Sequence, residues 1–121
     1  MLARLLPVLI AIATANALAA EPPEKSFSLS IARGVVSREQ RLLRVDKGDA
    51  VRIRLTSDAA GDIHLHGYRL EAKLTPGKPA ELAFKAYATG RYRIEWHGAG
   101  ETAASGGHHN EPLARLEVRP K

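Results

Sequence analysis

The sequence predicts an all-β protein, a sandwich of short strands. Apolar and polar residues alternate with period two in segment after segment, as in strands buried on one face only. Turn-forming clusters separate those segments at regular intervals. No stretch sustains a capped 3.6-residue period.

In chain order, Phe27, Leu29 and Ile31 alternate with Ser26, Ser28 and Ser30, and an isolated helical turn is expected near Ser37 to Arg41. Val51, Ile53 and Leu55 alternate with Arg52 and Arg54. Leu82 and Phe84 alternate with Glu81, Ala83 and Lys85, and Tyr92, Ile94 and Trp96 with Arg91, Arg93 and Glu95. Ala114, Leu116 and Val118 alternate with Arg115, Glu117 and Arg119. The punctuation is Lys47-Gly48-Asp49, Asp58 to Gly61, Pro76-Gly77-Lys78-Pro79 and Ala88-Thr89-Gly90. Gly98 to Pro112, rich in Gly, Ala and Ser, is expected to be a mobile loop.

At 121 residues the chain holds one domain. With 45% hydrophobic and 26% charged residues, wholesale disorder is excluded. Aromatics are only 5%, so the core rests on Leu, Ile, Val and Ala. Met1 to Ala20 reads as a secretory signal peptide: Arg4 near the start, an apolar run from Leu5 to Ala15, and an A-x-A signal at Ala17-Leu18-Ala19. The run is shorter than the ~20 residues of a spanning helix, so cleavage after Ala19 or Ala20 is expected rather than anchoring. The domain then covers 21–121, exported to the periplasm, with no integral membrane segment.

The cysteine count is zero. That excludes a disulfide framework, a Cys zinc site, a thiol nucleophile and a thiolate-ligated copper or iron–sulfur centre. Met1 is the only methionine, so no thioether ligand survives cleavage. Removing Arg4 from the 18 basic residues leaves 17 against 13 acidic, a net charge of +4. The cations sit singly at alternating positions, which is a solvated strand face, and nucleic acid is not an expected partner.

The five histidines are His64, His66, His97, His108 and His109. In Asp62-Ile63-His64-Leu65-His66-Gly67-Tyr68 two lie two apart, which on a strand puts both on one face, Cβ atoms roughly 7 Å apart. Which face is open. Arg69 must point outward, which favours His64, His66, Tyr68 and Leu70 as the inward set; a bulge at Gly67 would reverse this. His97 ends the strand after Trp96, and His108-His109 falls in the loop. Neutral imidazole suits copper, zinc and nickel. A lone strand-end histidine is commonly structural, whereas three brought together would be specific.

These segments, in this order, resemble the cupredoxin family over roughly Leu42 to Pro120. Val45 to Ile53 is similar to the family's Gly-Asp-containing strand. Asp62-Ile63-His64 is similar to the segment that supplies the first copper histidine. Pro76 to Phe84 resembles the family's Pro-Gly turn and strand, and Gly90 to Trp96 the strand that ends in the copper thiolate. The chain is also similar to small exported cupredoxin-like proteins carrying H-x-H-G-Y and a strand ending in E-x-H. The resemblance implies a Greek-key β-sandwich of about seven strands. It also puts Trp96 where the copper Cys stands in blue-copper proteins, with no axial Met. Blue-copper electron transfer is therefore not expected.

Two functions follow as expectations. In the first, His64, His66 and His97 form an all-imidazole site for a copper ion, or another divalent metal, at one end of the sandwich, with His108 or His109 as an extra ligand. The role would be metal handling with a protein partner of unspecified identity. In the second, the domain is metal-free and serves structure or interaction: Trp96 fills the vacant copper pocket and the histidines bond to each other, to Tyr68 or to backbone. No enzyme is expected, because no Gly-x-Ser-x-Gly, His-Glu-x-x-His or phosphate loop is present. A triad from Ser57, Asp58 and His64 is discounted, Asp58 being read as a turn residue.

Overall fold

Every alternating segment forms a strand, because each has one row of apolar side chains to bury. The structure, a computed structural model, describes residues 10–12, 24–100 and 111–121. The strands are β1 (Glu24–Ile31), β2 (Leu42–Asp46), β3 (Ala50–Ser57), β4 (Gly61–Leu65), β5 (Leu70–Leu74), β6 (Ala80–Lys85), β7 (Gly90–Gly98) and β8 (Ala114–Arg119). The expected helical turn is a short 3-10 turn, Arg38–Gln40.

Two sheets make the sandwich, one ordered β1-β3-β6 and the other β2-β8-β7-β4-β5. β1 runs parallel to β3 and β2 parallel to β8, while the remaining pairs are antiparallel. Leu29, Ile53 and Leu55 from the first sheet are sealed between the layers with Ile63, Leu65, Ile94 and Leu116 from the second. Each such side chain contributes roughly 1.5–3 kcal/mol by leaving water. The arginines of the alternating strands take the outer faces, as their parity requires. Among the described residues no helix is long and apolar enough to cross a membrane.

The expected leader lies outside the described residues except for 10–12. So does 101–110 of the expected loop, and with it His108 and His109.

Among the described residues eight strands stand where about seven were expected. Residues 61–74 form two strands, β4 and β5, around a turn at His66 to Arg69. That turn corrects the facing of the histidines. Ile63 and Leu65 are the inward pair, at 0% and 1% exposure, so His64 faces solvent. Gly67 (φ +83°) and Arg69 (φ +53°) both adopt left-handed backbone. They reset the alternation, so buried Tyr68 no longer shares the parity of His64. The outward position of Arg69 therefore reports the turn and not the strand.

Candidate metal centre

β4 lies between β5 and β7, and the register decides which side chains meet. His64 stands opposite Glu95 on β7 and Glu71 on β5, and Asp62 stands opposite His97. Directly paired residues share a sheet face, so His64, Glu71, Glu95, Asp62 and His97 all belong to the outer face. His66 follows β4 by one residue, and its backbone N–H donates to the carbonyl of Arg93.

The three histidines gather on this face. The rings of His64 and His97 meet edge-on with centroids 5.0 Å apart, and those of His64 and His66 are 6.4 Å apart. Glu95 sits among them. Its Oε2 lies 3.3 Å from His66 Nε2 and 3.6 Å from His97 Nε2, while its Oε1 accepts a 2.9 Å hydrogen bond from Arg93 Nε. His64 Nδ1 instead approaches Glu71 Oε1 at 3.1 Å. The His66 and His97 side chains are 53% and 54% exposed, so both contacts with Glu95 lie at the solvent boundary. Burial pushes the Glu95 carboxyl up. The Arg93 hydrogen bond and the charges of His66 and Arg93 outweigh it, so the group lies below the usual carboxylate range.

The imidazoles are thus collected but not yet set around an ion. Among the described residues no group of three or more His, Cys, Asp or Glu is arranged to hold a metal. Beside the cluster, His64, His66, Arg69 and Glu71 border a shallow depression of about 280 Å³.

The turn that carries His66 is anchored from beneath. Tyr68 packs against Phe84, Tyr87 and Tyr92, with ring centroids 4.8 to 5.0 Å apart. Its hydroxyl donates to the Ala88 carbonyl rather than to any histidine. A Cβ at Gly67 would strike the Tyr92 ring, so both the left-handed backbone and the close approach require glycine there.

Trp96 occupies the opposite side of β7. It pairs with inward-facing Ile63 and packs against the core. A Cβ on Gly61 would come within 2.5 Å of its Cη2, so the indole lies directly over that glycine. β-strand parity puts Trp96 between the layers, with His64 and His97 outside. An indole has no metal-donor atom, so the residues at this inner position do not fit a blue-copper centre.

Ser57 and Asp58 serve turns. The Ser57 hydroxyl donates to the Ala59 carbonyl at 2.7 Å, and the Asp58 carboxylate accepts from the Arg33 N–H.

No family model matches this chain, and no curated protein is similar to it in sequence. Solved structures are similar in fold. The apo form of a copper-binding protein superposes with a TM-score of 0.58 at 13% identity, covering 84% of this chain and 93% of that one. The fold is cupredoxin-like. A chain of a haem-copper terminal oxidase dimer gives 0.60 at 20% identity over 75% of this chain, and a multicopper oxidase from Pseudomonas thermotolerans 0.60 at 21% over 83%. The chain spans only 60% and 30% of those two proteins' lengths. What it has in common with them is the fold.

Glu95 and Glu71 are the site residues that histidine counting misses. Glu95 had a signal, since it precedes His97 by two on an alternating strand. Glu71 had none, because only the β4–β5 register brings it to His64.

Proposed function

We propose that this protein is an exported, periplasmic cupredoxin-like module that binds copper, or another divalent metal, through His64, His66 and His97. Its role is metal handling rather than blue-copper electron transfer. One observation carries the reading: three imidazoles meet on one solvent-facing patch, two of them against the same carboxylate oxygen. A purely structural use of histidine does not call for such a gathering on an exposed face. Similarity in fold to a protein named for copper binding supports copper as the first metal to test. Imidazole ligands also accept Zn(II) and Ni(II), with Cu(II) held tightest in the affinity order. His108 and His109 remain candidate extra ligands from the sequence alone.

The test is a Cu(II) titration of the protein without an added histidine tag, followed by electron paramagnetic resonance. One tight copper with imidazole couplings and no intense blue band is expected. His64→Ala and His97→Ala should each lose it. Unchanged affinity in both variants would overturn the reading.

A further inference from the structure

Glu95 is engaged through both of its carboxylate oxygens. Arg93 binds its Oε1 at 2.9 Å, and the other oxygen is directed at the Nε2 atoms of His66 and His97, at 3.3 and 3.6 Å. Two donors bonded to one ion at about 2 Å each, with tetrahedral angles, stand about 3.3 Å apart. The 3.3 Å contact of Oε2 with His66 Nε2 matches that spacing and the 3.6 Å contact with His97 Nε2 exceeds it slightly, so the three atoms stand as ion-paired neighbours close enough to be drawn around one ion. Small rotations of exposed rings would complete the arrangement. His64 lies differently, its Nδ1 turned to Glu71 on the far side of β4.

We propose that Glu95 is itself a metal ligand, forming with His66 and His97 a two-histidine, one-carboxylate set to which His64 adds a fourth donor. This rests on the reading of the histidines as a metal site and names the ion class it takes. A carboxylate oxygen is a hard, anionic donor, favouring divalent first-row ions and contributing little to soft Cu(I). The site is therefore a receiver of Cu(II), Zn(II) or Fe(II) and a poor carrier of cuprous ion. Arg93 is a positioning residue: it occupies Oε1 and so aims Oε2 at the imidazoles.

The experiment compares wild type, Glu95→Gln and His97→Ala in titrations with Cu(II), with Zn(II), and with Cu(I) held by a competing chelator. Glu95→Gln should weaken Cu(II) and Zn(II) by at least about 10-fold, the lower end of what even outer-shell partners cost. It should leave Cu(I) nearly unchanged and shift the Cu(II) paramagnetic resonance parameters. A thermal melt of the apo variants checks that folding is intact. If His97→Ala abolishes binding while Glu95→Gln changes neither affinity nor spectrum, Glu95 is no ligand and the histidine reading stands. Equal weakening of Cu(I) and Cu(II) with an unchanged spectrum also overturns the ligand assignment. If His97→Ala has no effect on either metal, this inference falls, and if His64→Ala has none as well the histidine reading falls with it.

Discussion

Trp96 and His97 are neighbours on β7 and face opposite ways. Trp96 points between the sheets, where its indole covers Gly61 and joins the core. His97 points to solvent, beside Glu95 and the ring of His64. One side of the strand is occupied by packing and offers no metal donor. The other is partly open to solvent and rich in donors. The lesson is that an indole filling the inner position leaves the imidazoles and carboxylates of the outer face in place. Interior packing and the exterior donor patch become separate properties of one strand, alterable one at a time.

That separation is open to attack. Removing the indole should have the largest effect on stability. Trp96→Ala is expected to cost about 3 kcal/mol, the lower end for Trp truncation because the ring is only partly buried, measured by urea unfolding. Its Cu(II) affinity should match wild type. Gly61→Ala presses a Cβ onto the indole and the His97 carbonyl, and overpacking of this kind costs about 1–3 kcal/mol. Combined with Trp96→Ala it should cost less than the sum, because the two residues touch.

Gly67→Ala tests the link between the halves. A side chain at φ +83° and against Tyr92 is expected to cost about 1–3 kcal/mol of strain. Because the same turn carries His66, this variant should lose both stability and Cu(II) affinity. His64→Ala should be the gentlest for folding. An exposed substitution of this kind stays within about 0.5 kcal/mol, while copper binding drops. A melt depressed well beyond that would mean that His64 serves the fold instead.

Much of the fold was legible because alternation alone places a residue inside or out. Ile53, Leu55, Ile94 and Leu116 all fall inside as their parity requires. The facing of His64 was not. Parity can be carried along a strand but not through a turn, and the left-handed Gly67 and Arg69 break the strand between His64 and the arginine used to orient it. Likewise His64, His66 and His97 were readable as candidates, but their meeting with Glu95 and Glu71 depends on the registers of β4 with β7 and β5. Register follows from which strands are neighbours, a property of the whole chain and not of any segment.

The most direct test of the separation is a single comparison by electron paramagnetic resonance. Wild type, Trp96→Ala and His97→Ala are each given one equivalent of Cu(II). The same imidazole-coupled spectrum is predicted for wild type and Trp96→Ala, and its loss for His97→Ala. A spectrum changed by Trp96→Ala and untouched by His97→Ala would place the copper between the sheets and contradict an outer-face site.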